Sequence, residues 1–322
     1  MKIFFTRYMN LAQLFDSVFY VYKKSFAYQI MFVLLTQTIY AAVAFAASVA
    51  IVLYSGLTGG AVSLFTVFLP ALPFLLVLVV AYAFGVSGNI ALTYQVRAGG
   101  RVRASEALSL AARSIPRVSC VILLQFAAKT PAIALLVLNV TLSFQRPEAF
   151  FLSDEYILSA LESLLTPYNL FWVLVALANF VIIDTSFIAA VPAAVFERKG
   201  PLAAVKKSCA LVRKDYWKLF AAGFLWLATL WAVQRSLLTI SDLVIVLVGL
   251  LNDSASLTFS ASYFTVLYGS IGITAVVVTL VAPLGGIFPG MVYFNQRIKH
   301  EALETEISPE QLDYQGGPDH VF

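Results

Sequence analysis

The sequence predicts an all-α, polytopic integral membrane protein with about six transmembrane helices and cytoplasmic amphipathic helices. The 322-residue chain is 61% hydrophobic and only 12% charged, which is about half the charged fraction of a soluble domain. Its mean hydropathy is +0.88, and its apolar residues form long runs of the length that a bilayer crossing needs. These observations exclude a soluble globular enzyme, a disordered chain and a disulfide-stabilised secreted domain.

The apolar runs, and the breaks between them, predict the elements in chain order. Residues 11–25 carry apolar side chains at helical spacing and end near Lys23 and Lys24, which predicts an amphipathic interfacial helix. Similar segments at 104–113 and 198–214 precede the third and fifth crossings. We interpret the fifth run as a crossing to about Val233 followed by a bent or interfacial outer helix. The six apolar runs cover residues 26–54, 61–94, 118–144, 168–196, 216–251 and 262–294.

The basic residues predict the orientation. Of the 21 Lys and Arg, 18 lie before the first crossing, after the sixth, or in the loops that follow the second and fourth. Cytoplasmic loops are enriched in Lys and Arg, so we expect a bacterial cytoplasmic (inner) membrane protein with both termini in the cytoplasm. The loop at 145–167 then faces outward. Residues 1–298 form one membrane domain, and the acidic segment 299–322 is a flexible cytoplasmic tail.

Basic and aromatic residues recur with a period near 100 residues. Asp16, Glu106 and Lys206 each precede a basic residue by seven positions. The second, fourth and sixth crossings close on Arg97, Arg198 and Arg297, with Tyr94, Phe196 and Phe294 close by. Any multi-pass protein places basic residues at cytoplasmic helix ends, but that does not explain the period. We therefore predict three helical-hairpin units, at about 10–98, 102–199 and 200–298, packed with pseudo-threefold symmetry.

Two stretches of the sequence carry a family resemblance. One runs from Pro192 through Glu197 to Trp217, and the other runs from Pro283 to Glu301. Over about residues 185–301 the chain resembles the membrane domain fused to some bacterial glycerophosphoryl diester phosphodiesterases and its stand-alone relatives of unknown function. In the fused proteins a separate soluble barrel domain carries the chemistry, and we expect none in this chain. The resemblance implies a membrane module without phosphodiesterase activity.

Lys129 and Asp184 lie inside predicted crossings, where ionisable groups are costly. Lys129 comes 12 residues after Arg117, and Asp184 comes 14 residues before Arg198, so both lie ~18–21 Å from the same membrane face. We predict that the two side chains pair. The pair is either a neutralising contact that fixes helix packing or a proton- or ion-coupled site.

Other charged residues favour lipid contact over chemistry. Arg235 and Asp242 are interpreted as outer-face charges that snorkel to the interface. The two Cys and two His make no metal-ligand or catalytic set, so we expect no enzyme, cofactor or metal. Basic residues beside the interface either bind anionic lipid headgroups or simply set the topology; they are Lys23, Lys24, Arg113, Lys206, Lys207, Arg213 and Lys214.

The sequence thus predicts a non-catalytic multi-pass membrane protein. We expect a scaffold, assembly or regulatory module for a partner complex, in contact with membrane lipids. The partner is another membrane protein or a second copy of the chain, and not nucleic acid. The alternative is a small-solute or lipid transporter that uses Lys129 and Asp184.

Overall fold

The computed structural model describes residues 8–57, 64–98, 102–143, 166–253 and 259–301. Six helical spans within these ranges are long and apolar enough to cross a membrane, and no strand occurs in them. The prediction of an all-α polytopic membrane fold is therefore confirmed. The helices are α1 (Leu11–Leu57), α2 (Leu64–Arg97), α3 (Ala104–Ser143), α4 (Pro167–Phe187), α5 (Ala190–Phe196), α6 (Pro201–Arg213), α7 (Tyr216–Asp253) and α8 (Phe259–Glu301).

Local sequence sets several of the helix starts. Asn10 and Gln13 form a reciprocal capping box: the Gln13 N–H donates to Asn10 Oδ1 (2.9 Å) and the Asn10 N–H donates to Gln13 Oε1 (3.1 Å). Pro167 opens α4 and Pro201 opens α6. Proline suits this position because its fixed φ is helical and the first N–H of a helix has no partner within it.

The starts of α1, α3 and α6 meet the ends of α2, α5 and α8 at one end of the bundle, which we call the basic end. Met9 N donates to Asn295 Oδ1 (2.8 Å), and Asn295 Nδ2 donates to Met9 O (3.0 Å), which ties the start of α1 to α8. Arg103 N donates to Gln95 Oε1 (3.0 Å), which closes the connection between α2 and α3. The described Lys and Arg side chains other than Lys129 and Arg235 belong to residues toward this end.

The helices pack in a cyclic order. The second members of the three hairpins, α2, α5 and α8, contact one another at the centre. Around them, α1 packs on α2 and α8, α3 packs on α5 and α2, and α7 packs on α8 and α4. Each outer helix therefore contacts its own hairpin partner and the second helix of the preceding hairpin, with α8 preceding α1.

Three aromatic rings, one from each inner helix, meet at the centre of the basic end. The ring centroids of Tyr94 and Phe196 are 5.1 Å apart, those of Phe196 and Phe294 are 5.1 Å apart, and those of Tyr94 and Phe294 are 5.8 Å apart. These are the three aromatic residues that recur near the ends of the second, fourth and sixth crossings. The guanidinium of Arg97 lies over the Phe294 ring, 4.6 Å from its centroid.

The three amphipathic segments bury side chains at the same relative positions. Counted from the first residue of α1, α3 and α6, positions 4, 8, 11 and 15 are buried in every case. This spacing is one face of a helix. The residues are Leu14, Val18, Val21 and Ser25, then Ala107, Ala111, Ser114 and Val118, then Ala204, Ser208, Leu211 and Asp215. The alignment of Asp16, Glu106 and Lys206 that the sequence suggested does not match this register for α3. Asp16 and Lys206 are at position 6 of their helices, whereas Glu106 is at position 3.

Two of the predicted amphipathic helices are not separate elements. Residues 11–25 are the start of the continuous helix α1, and residues 104–113 are the start of α3, which continues past Pro116. Pro116 and Ala112, the residue four positions earlier, are both exposed, so solvent or headgroups can satisfy the carbonyl that proline leaves unpaired. Only α6 is separated from its crossing, by the turn at Lys214 and Asp215. The predicted fifth crossing and its outer helix likewise form the single helix α7.

The packed core lies in the half of the bundle nearest the basic end. Among the residues with described side chains, the buried positions of α1 extend only to Thr36 and those of α7 only to Trp226, while those of α8 begin at Val277. Beyond these points the helices carry large exposed apolar side chains, such as Phe45 (73% exposed) and Trp231 (69%). In a bilayer such side chains face acyl chains, so the far half of each hairpin presents a lipid-compatible surface.

Candidate functional site

Lys129 and Asp184 form an ion pair between α3 and α4, through Lys129 Nζ and Asp184 Oδ1. Gln125, one turn before Lys129 on α3, donates its Nε2 to the same carboxylate oxygen at 2.7 Å. The Lys129 ammonium also lies 5.4 Å from the centroid of the Phe180 ring, one turn before Asp184 on α4. The contact expected from the matched depth of the two charges is present, and Gln125 is a third member that depth alone did not suggest.

The two members of the pair differ in exposure. The side chain of Lys129 is 15% exposed and that of Asp184 is 43% exposed. Lys129 and Gln125 both contact Oδ1 of Asp184, and within the described part of the chain no side chain donates to Oδ2. Tyr82 of α2 is close enough to Asp184 to interact with it electrostatically. Polar groups of α3 and α4 therefore meet in one contact within the membrane-spanning part of the bundle.

A break in the helix follows one turn after Asp184. Proline has no N–H and its ring crowds the carbonyl four residues earlier, and Pro192 in this way disrupts the helix at Ile188, where α4 gives way to α5. Ser208 of α6 hydrogen-bonds to backbone groups on both sides of the break. Its Oγ accepts from Ala189 N (3.1 Å) and donates to Ser186 O (2.6 Å). The fourth crossing is thus two helices joined by a side chain from α6.

Glu197 is the centre of an ion network at the basic end. Tyr293 donates its hydroxyl to Oε1 at 2.5 Å, and Lys199 Nζ lies 2.5 Å from Oε2. Lys207 Nζ and Arg297 Nε lie 3.9 Å and 3.7 Å from Oε1. Burial alone would raise the pKa of Glu197, but the hydrogen bonds from Lys199 and Tyr293 and the charge of Lys207 outweigh it and hold that pKa below its ordinary value.

Glu301, at the end of α8, shares the cations of this network. It pairs with Lys207 and accepts a 2.8 Å hydrogen bond from Arg297 Nε. The two carboxylates therefore hold α6 and α8 together through Lys207, which contacts both. The sequence patterns pointed to neither Glu197 nor Glu301 as an ion-pair centre. The two residues are 104 positions apart in the chain and meet only because α6 and α8 pack together beside the end of α5.

A second carboxylate network lies at the turn between α6 and α7. The side chain of Asp215 is 9% exposed, pairs with Lys299 and lies 3.0 Å from His300 Nε2. Burial alone would raise the pKa of Asp215, but the hydrogen bonds from Lys299 and His300 outweigh it and lower that pKa. The ammonium of Lys299 also lies 5.1 Å from the centroid of the Tyr8 ring. This network fastens the end of α8 to the turn between α6 and α7 and places it beside Tyr8, which precedes α1.

No protein-family model, curated protein or solved structure matches the chain. The resemblance to the phosphodiesterase-associated membrane domain therefore stays a prediction. In the parts of the chain that the structure describes, no group of three or more His, Cys, Asp or Glu is arranged to hold a metal ion, and Cys120 and Cys209 are free and exposed.

The cations proposed for lipid headgroups fall into two groups. Lys207 is engaged by Glu301 and Glu197, so it is a structural cation of the ion network. The remaining candidates are exposed on α1, α3 and α6 or just after it: Lys23, Lys24, Arg113, Lys206, Arg213 and Lys214. The difference arises because Lys207 lies within reach of Glu301 on α8, whereas the side chains of the other six candidates are exposed.

The helix register adds Arg117, which is partly exposed, to the candidate headgroup contacts. Lys24, Arg117 and Lys214 all occupy position 14, counted from the first residue of α1, α3 and α6. Arg117 was not among the predicted headgroup contacts, because the period of charges suggested Arg113 instead. The indole of Trp217, which is 76% exposed, follows Lys214 at the start of α7; amphipathic aromatic rings favour the membrane interface.

The predicted outer-face charges are resolved only in part. Arg235 is exposed on α7. The side chain of Asp242, the acidic segment from residue 302 onward and residues 144–165 of the predicted outward loop lie outside the described residues.

Proposed function

We propose that the chain is a non-catalytic membrane module whose basic end is a rigid platform that contacts anionic lipid headgroups and a partner. The observation that carries this proposal is the separation of cations into two roles. Lys207, Arg297 and Lys299 are neutralised within ion networks. The cations at position 14, Lys24, Arg117 and Lys214, form no ion pair with any residue that the structure describes. They are exposed or partly exposed at the basic end, where headgroup phosphates would come within reach.

The platform is proposed to lie at the cytoplasmic face of a bacterial inner membrane. The support is the concentration of Lys and Arg at that end. A reporter that is active only in the periplasm, attached after Phe322, should be inactive, and the same reporter placed in the 144–165 segment should be active. Activity at Phe322 would overturn the orientation.

We further propose that the platform is built from three repeated hairpins. Three observations support repetition: the cyclic helix contacts, the meeting of Tyr94, Phe196 and Phe294, and the shared buried positions of α1, α3 and α6. Repetition predicts three equivalent positions around the basic end, one at each of α1, α3 and α6, with a cation at position 14 in each.

Lipid co-purification tests the platform proposal. The protein is purified in mild detergent from cells, and the bound anionic phospholipid is quantified by mass spectrometry. Replacing all three of Lys24, Arg117 and Lys214 with Gln should reduce the retained anionic lipid severalfold. Each single replacement should cause about a third of the loss in binding free energy, because one cation near an anionic surface contributes ~1 kcal/mol. Arg235→Gln is the matched control, an exposed cation away from the basic end. Unchanged retention in the triple variant would overturn headgroup contact.

The partner is tested in the same preparation. A stoichiometric protein that remains bound in mild detergent, and that is released when the platform surface is altered by the triple replacement, supports an assembly role. A chain that elutes alone and as a monomer, with its lipid retained, argues against it.

A second candidate function is a lipid or small-solute permease. The half-exposed Asp184 beside a broken helix favours it, because transporters place charged groups and discontinuous helices together at membrane depth. In reconstituted vesicles, transfer of a fluorescent lipid between leaflets should be accelerated by the protein and abolished by Asp184→Asn. Equal rates in protein-free vesicles would exclude lipid transfer.

A further inference from the structure

The exposed face of α6 carries positive charge that the described part of the chain does not balance. Lys206, Arg213 and Lys214, which we call the α6 cations, are exposed on this helix or directly after it. None of them forms an ion pair with a described residue, and α6 itself contains no acidic residue. Three like charges spread over ~12 Å of helix repel one another, so this face favours an anionic occupant.

The carboxylates around α6 are already used by other cations. Glu197 and Glu301 share Lys207, and Asp215, which follows α6, pairs with Lys299. These contacts hold α6 against the ends of α5 and α8 and leave no described carboxylate for the α6 cations. The anion that neutralises them must therefore come from outside the described residues.

The chain passes out of the described residues directly beside the α6 cations. The last residues of α8 contact the α6 region at two points: Glu301 pairs with Lys207, next to the first α6 cation, and Lys299 pairs with Asp215, next to the third. An extended chain advances ~3.3–3.6 Å per residue, so the positions three to nine residues after Glu301 lie within ~10–30 Å of it. All three α6 cations are within that reach.

The segment that follows Glu301 carries the complementary charge. Residues 302–322, which lie outside the described residues, contain five acidic residues and no Lys or Arg. Three of the acids, Glu304, Glu306 and Glu310, come within nine positions of Glu301. Because the segment is joined to α8, its effective concentration at α6 is on the order of millimolar. It therefore has an advantage over a free acidic peptide or a soluble phosphate.

We propose that the acidic segment 302–322 docks on the α6 cations of its own chain and competes there with anionic lipid headgroups. In the docked state, carboxylates of the segment pair with the α6 cations in place of headgroup phosphates. The contact is autoinhibitory, because it withdraws Lys214, one of the three cations at position 14, from the platform surface. The docking does not depend on the proposed headgroup contact, and only the competition rests on it.

Zero-length cross-linking of the purified full-length protein tests the docking. A water-soluble carbodiimide joins carboxylates to lysine amines in direct contact, and the reaction is run until the Lys207–Glu301 product appears in the peptide digest. At that point Lys206 or Lys214 should be joined to acids of the segment within a single chain. These products should fall severalfold between ~0.1 and ~1 M salt, as the Debye length decreases from about 10 to 3 Å.

Two outcomes overturn the docking. One is the absence of segment products with the α6 lysines when the Lys207–Glu301 product has formed, and the other is their occurrence only between two chains. A digest that never contains the Lys207–Glu301 product would contradict the contact that places the segment beside α6.

Retention of anionic phospholipid in mild detergent, quantified by mass spectrometry, tests the competition. Glu304, Glu306 and Glu310 are replaced together with Gln, and the matched control replaces the same three residues with Asp, which keeps their charge. The Gln variant should retain about threefold more anionic phospholipid than the parent, and the Asp variant should retain as much as the parent. Equal retention in the Gln variant and the parent overturns the competition.

Failure of the platform itself gives a different result. If replacing Lys24, Arg117 and Lys214 leaves lipid retention unchanged even when the segment carries the three Gln residues, the headgroup contact is wrong. The intramolecular cross-links then still establish the docking, so the two proposals stand or fall separately.

Discussion

Phe32 of α1 occupies the space that a side chain at Gly88 of α2 would need. A Cβ built at Gly88 would come within 3.0 Å of three atoms of the Phe32 ring, and the ring itself is fully buried. One turn away, a Cβ at Gly85 would lie 2.6 Å from Thr36 Oγ1. Glycines of this kind let transmembrane helices approach closely, so the contact between α1 and α2 depends on the missing side chain.

Gly88→Ala should therefore destabilise the protein by about 1–3 kcal/mol through overpacking. Gly223→Ala is the control, because a Cβ there meets nothing within 4 Å, and it should be neutral or stabilising by up to ~1 kcal/mol through helix propensity. Thermal unfolding in detergent measures both. If Gly88→Ala unfolds no earlier than Gly223→Ala, the packing of Phe32 against Gly88 is incorrect.

The pairing of Lys129 with Asp184 predicts a non-additive double variant. Lys129→Met and Asp184→Asn each leave one uncompensated polar group, at a cost of about 1–3 kcal/mol, below the range for fully buried pairs because Asp184 is partly exposed. The double variant should recover most of that loss in yield and thermal stability. A double variant that assembles no better than Asp184→Asn alone contradicts the pairing.

The lowered pKa of Glu197 predicts a stability contribution that depends on pH. Its pKa is below the ordinary value of 4.5 in the folded protein, so the unfolded chain takes up protons first as the pH falls. The contribution is fully present above about pH 5–6 and is lost as the pH falls through 4.5 and then through the lower folded pKa. Glu197→Gln should lower the unfolding temperature at pH 7 and lose that deficit at acid pH.

Glu106→Gln is the matched surface control for this experiment, since Glu106 is exposed and, among the described ion pairs, pairs only with Arg103, the residue just before α3. It should have little effect at either pH. A Glu197→Gln deficit as large at pH 3 as at pH 7 would show that the ion network is not its origin.

The meeting of three aromatic rings predicts a large effect of removing one. Phe196 contacts Tyr94 and Phe294 as well as Tyr293, so Phe196→Ala leaves a cavity where all three hairpins join. We expect a loss of about 3 kcal/mol or more. Phe224→Ala, at a position 58% exposed on α7, should cost far less. Similar losses from the two replacements, measured by unfolding in detergent, would argue against a central role for the triad.

The sequence was sufficient to predict what depends on hydropathy and charge. Long apolar runs specify crossings because the bilayer core admits little else, and the depth of Lys129 and Asp184 follows from the helical rise. The recurrence of Tyr94, Phe196 and Phe294 was visible, but their contact depends on the cyclic packing of helices from separate hairpins. Sequence spacing does not encode that packing.

Continuity of the helices was harder to predict. In α1 and α3 the sequence changes from an amphipathic to a fully apolar pattern, which suggested two separate helices. The amphipathic and the apolar segments instead form one continuous helix in each case, so no break is needed. The break at Ile188 had a signal in Pro192, yet Pro116 and Pro131 lie within the continuous helix α3. What distinguishes Pro192 is Ser208, which supplies the hydrogen bonds from another helix.

The two hydrogen bonds between Met9 and Asn295 join residues 286 positions apart in the chain. At ~5–20 residues per second of translation, α1 emerges from the ribosome ~15–60 s before the helix that completes its packing. During that interval the face of α1 that later covers α8 has no permanent neighbour. The contact between α1 and α8, which closes the cycle of helices, can therefore form only after the last helix has been synthesised.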